Sequence, residues 1–237
     1  MEEDYIYWRH PTLPCIKVEE VSGGDRYSGK LWLEMALQIY CENGKESYRD
    51  IGHYANGAPF VYGSNARISI THCKGLLAVA TLPDTPEVNL GEYSDRAALG
   101  IDAERTDREQ VLKLRGKFLS DREQAMIPSD DVMANIHAWT IKEACYKAAF
   151  CEGVDFADGI RITKMPKMGP AVPVYDVKEY DYDGTGRGFG ADDYGRAVVV
   201  TPQGEEREFV LYSYLSDECV VTLAYSPKAS RFNRQAI

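Results

Sequence analysis

Two acidic residues that stand two positions apart are the first feature able to do chemistry. Asp102 and Glu104 end the segment Gly100-Ile101-Asp102-Ala103-Glu104, in which apolar and acidic residues alternate, and the pattern predicts a strand over residues 97 to 104. Side chains of a strand alternate between faces, so both carboxylates are expected on one face. Such a pair is costly unless a proton or a cation neutralises it, and Mg²⁺ prefers these oxygen ligands. Taken alone, however, an acidic strand end is more often a solvated edge.

A second set of charged residues follows about forty positions later, in the strongest helical pattern of the chain, over residues 134 to 150. Trp139, Glu143 and Lys147 are spaced i, i+4 and i+8 and therefore share one side of that helix. A surface Glu–Lys pair worth about 0.3 to 0.5 kcal/mol is one interpretation. Trp139 argues against it, because a large aromatic ring is rarely placed on a fully solvated face.

Together the two segments resemble the signature of the 4′-phosphopantetheinyl transferases, (I/V)G(I/V)D…E followed by WxxKEAxxK. Residues 118 to 123, FLSDRE, lie between them and resemble the FxxxE segment of that family. Upstream, NGAPF at residues 56 to 60 and SITHC at residues 69 to 73 resemble the GKP and N(I/L)SHS elements of its long, surfactin-type members. The resemblance spans about residues 30 to 165.

The resemblance implies an activity and its residues. Asp102, Glu104 and Glu143 would hold Mg²⁺ against the pyrophosphate of coenzyme A. The serine hydroxyl of an apo acyl or peptidyl carrier protein would then attack the β-phosphorus, and 3′,5′-ADP would leave. Glu143 is the implied general base, directly or through a water, and Lys147 would neutralise the phosphates. The catalytic set is therefore Asp102, Glu143 and Lys147.

The resemblance also implies how coenzyme A is bound. His72 would contact the 3′-phosphate, and Thr71 lies beside it. Two departures from the family pattern stand out, because Ala58 replaces the lysine of GKP and Cys73 replaces a serine or threonine. We hypothesise that Arg67 supplies the lost charge. The residues predicted to contact coenzyme A are Thr71, His72, Cys73, Arg67, Lys147 and Lys30. Arg26, four positions before Lys30, is a further candidate.

The fold implied is that of the long family members, two α/β halves that a pseudo-twofold axis relates, each with a small antiparallel sheet. We place the halves at residues 1–101 and 102–237, with His72 and the carboxylates on opposite sides of one cleft between them. A monomer is expected. Independently, short hairpins with helices in both halves of the chain favour the α+β class.

Local patterns predict the remaining elements. Ser120 and Glu123 form a capping box at the start of a short helix. Residues 71 to 75 are predicted to be the polar turn of a hairpin, and residues 181 to 195 a long Gly-rich loop. Helices are predicted over residues 30–40, 108–117 and 120–126, and strands over residues 66–69, 76–81, 160–163, 172–177, 197–201, 208–215 and 219–225.

Composition bounds the partners and the compartment. The formal net charge of −10 over 237 residues argues against a nucleic-acid partner. No apolar run is long enough to span a membrane, and the first residues lack the pattern of a signal peptide, so a cytoplasmic protein without a membrane partner is predicted. The six scattered cysteines are expected to be reduced thiols.

Docking of a carrier protein would need a locally basic face, because carrier proteins are themselves acidic. A basic cluster follows the acidic strand, although nearby acidic residues make an ordinary solvated helix an equal alternative. Its members are Arg105, Arg108, Lys113, Arg115, Lys117 and Arg122.

Two other functions are open at this point. A different Mg²⁺-dependent transferase acting on a nucleotide would account for the carboxylates but not for WxxKEAxxK. A relative that binds coenzyme A or a carrier protein without turnover is also consistent with the sequence, given Ala58.

Overall fold

A computed structural model describes residues 5–10, 13–22, 50–64, 66–82, 97–170, 194–216 and 218–226. The first half of this part is built from strands. These are β1 (Tyr5–His10), β2 (Leu13–Ser22), β3 (Ile51–His53), β4 (Pro59–Val61), β5 (Arg67–Cys73) and β6 (Leu76–Leu82). They form a four-stranded antiparallel sheet in the order β1-β2-β6-β5 and a separate β3-β4 ribbon.

The second half combines strands and helices. They are β7 (Ala98–Arg105), α1 (Val111–Phe118), α2 (Asp121–Met126), α3 (Val132–Ala149), β8 (Ile160–Lys164), β9 (Met168–Pro170), β10 (Gly195–Val200), β11 (Glu206–Ser216) and β12 (Cys219–Ser226). The sheet has the order β7-β12-β11-β10-β8, and β9 pairs in parallel with β11. The remaining strand pairs are antiparallel, so the α+β class is confirmed.

The second sheet is covered on its two faces by different elements. Helix α3 packs against β7 and β12, and its residues Ala138, Ile141 and Cys145 are fully buried in the core. A second core cluster joins side chains of β2 and β6 to those of β7, β11 and β12. The sheet that carries Asp102 and Glu104 is therefore held between α3 and the first sheet.

The hairpin predicted around residues 71 to 75 is tighter than expected. β5 continues to Cys73, and the turn consists of Lys74 and Gly75, whose φ of +97° is one that glycine adopts easily. Polar Thr71 stays inside the strand because its hydroxyl is buried in contact with Asp102. The helix predicted from residue 108 likewise begins later, at Val111, because successive turns occupy residues 106 to 110.

Side chains, not a continuous ladder, connect the two sheets. Ser69 Oγ accepts a hydrogen bond from the backbone N–H of Ile101 at 3.0 Å, and Thr71 Oγ1 accepts one from Ala103 at 3.1 Å. Two hydroxyls of β5 thus provide hydrogen-bond acceptors for backbone N–H groups on the edge of β7 that faces away from β12. The predicted boundary at residues 101 and 102 falls within β7, and the division into two halves stays a prediction.

Several sequence predictions lie outside the described residues. These are the helix at 30–40 with Arg26 and Lys30, the strand at 172–177 and most of the loop at 181–195. Within the described part of the chain, no helix combines the length and apolar character needed to cross a membrane.

Candidate active site

The centre of the candidate site is Asp102, near the end of β7. The residue is only 6% exposed. Its Oδ1 accepts hydrogen bonds from Lys147 Nζ at 2.7 Å and from Thr71 Oγ1 at 3.2 Å. Its Oδ2 is buried and accepts no hydrogen bond from any residue that the structure describes. A buried carboxylate oxygen without a donor is costly, which points to a ligand for this atom.

Gly100 explains how β7 and α3 come close enough to form the site. A Cβ atom at this position would lie 2.1 Å from the carbonyl oxygen of Ala144 and 2.7 Å from the backbone nitrogen of Ala148. Only glycine therefore permits this approach of the helix backbone. The contact places the turn of α3 between Glu143 and Lys147 beside Asp102, two residues along the strand. The sequence motif contains Gly100, but the alternating pattern of the strand does not reveal this role.

Lys147 is held in place by two acceptors on β7. Its ammonium group donates to the carbonyl oxygen of Ile101 at 3.0 Å and to Asp102 at 2.7 Å. The side chain keeps 31% of its exposure and also lines the neighbouring cleft. An ammonium group has three donors, so one is left for another acceptor.

Glu143 is electrostatically linked to the same centre. Burial and, after it, the negative charge of Asp102 raise its pKa from 4.5 to about 7, although Lys147 and Arg108 act in the opposite direction. The structure therefore brings Asp102, Glu143 and Lys147 together from two distant parts of the sequence.

Glu104 lies on the same strand face but is engaged by other residues. Its Oε1 accepts hydrogen bonds from Arg108 and, at 3.2 Å, from Trp139 Nε1. The Trp139 ring is fixed by an edge contact with Phe118 and by stacking on Phe156. Trp139 thus positions a carboxylate through its N–H, a function that the helical spacing had not revealed.

A buried ion pair supports α3 on the side away from Asp102. Lys142 is fully buried, and its Nζ donates to Glu123 Oε2 at 2.7 Å and to backbone carbonyls of residues 156, 157 and 160. Glu123 also accepts from the backbone of Ile162 at 2.7 Å and closes the predicted capping box with Ser120. The FxxxE and WxxKEAxxK segments are therefore connected by a buried ion pair between Glu123 and Lys142, which the sequence pattern did not predict.

A cleft of about 230 Å³ lies next to Lys147 and is bordered by residues of β4, β5, β7 and α3. Arg67 and Ala58 both line it, as do Tyr54, Phe60 and Phe150. The guanidinium of Arg67 lies over the Phe150 ring, 5.6 Å from its centroid. Arg67 therefore borders the space beside Ala58, where the sequence lacks the family lysine.

The other predicted coenzyme A residues are placed differently. Thr71 is buried between the sheets, and His72 is exposed near the tip of the β5–β6 hairpin. Neither they nor Cys73 border the cleft that Arg67 and Lys147 share. A strand rises about 3.3 Å per residue, so His72 and Arg67 are separated by about 17 Å along β5. Lys30 lies outside the described residues.

The comparison with protein families matches the part of the chain that carries this centre. The family model of the 4′-phosphopantetheinyl transferase superfamily matches residues 98–187. This match supports assignment of the matched region to that superfamily. It begins at the first residue of β7 and includes all of the carboxylates and Lys147, whereas the predicted coenzyme A residues of β5 precede it. No curated protein matches the chain.

The resemblance to this superfamily implies a magnesium ion, and the carboxylates present are oxygen ligands of the type that Mg²⁺ prefers. Asp102 offers a buried oxygen that lacks a donor, and Glu143 lies close enough for the two carboxylates to repel each other. In the described ranges, however, no three His, Cys, Asp or Glu side chains are gathered closely enough to hold a metal as they stand. Glu104 would have to turn away from Arg108 to become the third ligand.

The predicted basic cluster is smaller than the sequence indicated. Arg105 pairs with Asp107 and Glu218, and Arg108 pairs with Glu104. Arg115 donates to the carbonyls of residues 124, 127 and 128 and to Asn135. Lys113, Lys117 and Arg122 remain exposed, and no ion pair with another described residue engages them.

Proposed function

We propose that this chain transfers the 4′-phosphopantetheine arm of coenzyme A to a serine of an apo acyl or peptidyl carrier protein and releases 3′,5′-ADP. The observation that carries the proposal is the convergence of Asp102, Glu143 and Lys147 within the segment that matches the superfamily. The resemblance of residues 56–60 and 69–73 to the long members further supports a monomer with two related halves.

Two residues of α3 act on the reacting groups in this proposal. Lys147, already fixed by Ile101 and Asp102, donates its remaining N–H to a phosphate oxygen and stabilises the charge that develops there. Glu143 accepts the proton of the serine hydroxyl at a carboxylate oxygen, directly or through a water. The serine oxygen forms a bond to the β-phosphorus, and the bond to the leaving 3′,5′-ADP oxygen breaks.

Asp102, Glu104 and Glu143 would hold Mg²⁺, which when bound neutralises the pyrophosphate oxygens. Glu104 would first have to release its ion pair with Arg108 before it could bind the metal. Arg108 then becomes available to an anionic group of the substrate or of the carrier protein.

One assay separates the proposed transferase from both alternatives. The chain is incubated with coenzyme A, Mg²⁺ and an apo carrier protein, and the carrier is then weighed by mass spectrometry. A carrier that gains the mass of phosphopantetheine supports the proposal. Binding of coenzyme A without an adduct would indicate a non-catalytic relative, and neither adduct nor carrier binding would favour another nucleotide transferase.

Replacing Asp102 tests the site itself. Asp102→Asn preserves the shape of the side chain but removes the charge that a metal and Lys147 require, so turnover at saturating coenzyme A should fall by at least about 100-fold. Asp107→Asn is the matched control, because that carboxylate is exposed on the following turn and should leave turnover unchanged. Near-normal turnover of Asp102→Asn would refute the metal assignment.

Replacing Arg67 tests the coenzyme A cleft. We propose that Arg67 supplies the charge absent at Ala58, since both residues border the cleft. Arg67→Ala should weaken coenzyme A binding about tenfold, which is the loss of one modest charge-assisted contact. Calorimetry measures the Kd, and Arg161→Ala, on an exposed pair away from the cleft, is the control. An unchanged Kd would remove Arg67 from the site.

A further inference from the structure

Two cysteines that are distant in the sequence lie side by side at the junction of the two sheets. Cys73 ends β5 and Cys219 begins β12, 146 positions later. Their sulfur atoms are 3.1 Å apart. A disulfide bond requires about 2.05 Å, so a shift of about 1 Å would join them.

The exposure of the two thiols differs in a way that suits stepwise oxidation. Cys73 is partly exposed beside the hairpin turn, whereas Cys219 is 2% exposed. A small disulfide can reach Cys73 first, and Cys219 is then in position to displace it. Of the other cysteines that the structure describes, Cys145 is buried within α3 and Cys151 contacts the carbonyl of Glu152. Both therefore lack a comparable sulfur neighbour among the described residues.

The location connects elements of the candidate site. Cys73 lies two residues beyond Thr71, whose hydroxyl contacts Asp102, and Cys219 is paired across the ladder with Arg105 at the end of β7. A bond between the sulfurs would therefore join the strand that supports Asp102 to the sheet that carries it. Cys73 is also one of the two positions at which the sequence departs from the family pattern.

We propose that Cys73 and Cys219 form a reversible disulfide that cross-links the two sheets when the protein meets a low-molecular-weight disulfide. The thiolate of Cys73 attacks one sulfur of the small disulfide and releases one thiolate. The thiolate of Cys219 then attacks the Cys73 sulfur and releases the second. Two protein thiols are oxidised, the small disulfide is reduced to two thiols, and these take up the two protons.

The test uses the reduced full-length protein and oxidised glutathione, and it does not depend on transferase activity. After incubation, remaining thiols are blocked with N-ethylmaleimide and the digest is analysed by mass spectrometry without reduction. The expected product is a peptide pair that joins Cys73 to Cys219 with the loss of two hydrogens. Dithiothreitol should restore both thiols.

Stability provides a second readout. The cross-link closes a long loop, so the oxidised protein should melt about 5 °C or more above the reduced protein. Cys73→Ser and Cys219→Ser should each abolish the shift, and Cys151→Ser should preserve it. Because the wild-type protein gives the primary result, a variant that fails to fold does not affect the conclusion.

Three outcomes would overturn the proposal. One is a stable mixed disulfide between glutathione and Cys73, with Cys219 still a free thiol that N-ethylmaleimide labels after the protein is unfolded. Another is a bond from Cys73 to a different cysteine, and the third is full recovery of both thiols as blocked residues after exposure to oxidised glutathione.

Discussion

At the scale of single residues, His137 is a buried polar side chain of α3. It is 5% exposed, and its Nε2 has no hydrogen-bond partner among the described residues. Burial lowers its pKa from 6.5 to about 4. The neutral imidazole is therefore the form that the folded protein favours.

His137 should make the protein sensitive to mild acid. Because the folded pKa lies below the unfolded one, the stability contribution is present above pH 6.5 and is lost as the pH falls towards 4. Between pH 7 and pH 5 this group alone should remove about 2 kcal/mol from the free energy of unfolding. Urea denaturation at both pH values should show the loss in the wild type and its reduction in His137→Leu.

The exposed His53 is the matched control for this experiment. His53→Leu should retain the acid sensitivity of the wild type, because the side chain of His53 is exposed to solvent and not buried. Equal loss of stability in His137→Leu and the wild type would exclude His137 as the cause.

At the scale of elements, the packing of α3 on β7 decides where the charged residues meet. Gly100 sets this distance, because the backbone of α3 occupies the space that a side chain would need. Behind the helix, the Lys142–Glu123 pair fixes α3 to α2 and to the segment before β8. Breaking such a buried pair by removing one partner typically costs about 3 to 5 kcal/mol. The motif residues thus divide into those that face the site and those that hold its helix.

Gly100→Ala should displace α3 and damage the site. A methyl group 2.1 Å from the Ala144 carbonyl must be accommodated by movement of the backbone, which should cost about 1 to 3 kcal/mol of stability. The same movement separates Glu143 and Lys147 from Asp102, so turnover in the carrier assay should fall more than the stability loss explains. Denaturant titration and the mass-spectrometric assay measure the two effects.

Gly116→Ala is the control, because it lies within α1 and has open space around it. This substitution should stabilise the protein by about 0.5 to 1 kcal/mol through helix propensity. If Gly100→Ala proved equally benign, the close approach of α3 would not be required.

At the scale of the whole molecule, the two sheets are connected by side-chain hydroxyls. Ser69 and Thr71 satisfy backbone groups of β7, and Thr71 also orients Asp102. The candidate site therefore lies at a joint of the fold, and the Cys73–Cys219 contact lies at its end. Stability of the joint and geometry of the site are expected to change together.

Thr71→Val should weaken this joint. The substitution is nearly isosteric but leaves the N–H of Ala103 and one bond to Asp102 unsatisfied, at a cost of about 1 to 3 kcal/mol. The denaturation midpoint should fall while the transition stays single. Thr163→Val, at an exposed hydroxyl, is the control and should have little effect. A cost below about 0.5 kcal/mol would show that the hydroxyl does not join the sheets.

Local periodicity in the sequence is sufficient to predict several features of the fold and of the candidate site. Alternation along β7 placed Asp102 and Glu104 on one face, and helical spacing placed Glu143 and Lys147 on one side of α3. The capping box at Ser120 and the strands β10 to β12 followed from equally local rules. These predictions succeeded because backbone geometry alone fixes which neighbours share a face.

The contacts of these side chains, in contrast, depend on how the elements pack in three dimensions. Glu104 accepts hydrogen bonds from Arg108 and Trp139, and Lys142 is buried in contact with Glu123. Thr71 lies within β5 and contacts Asp102, and Cys73 contacts Cys219. Each of these contacts joins residues from different elements, so it depends on how closely those elements pack, and no local pattern in the sequence encodes that distance.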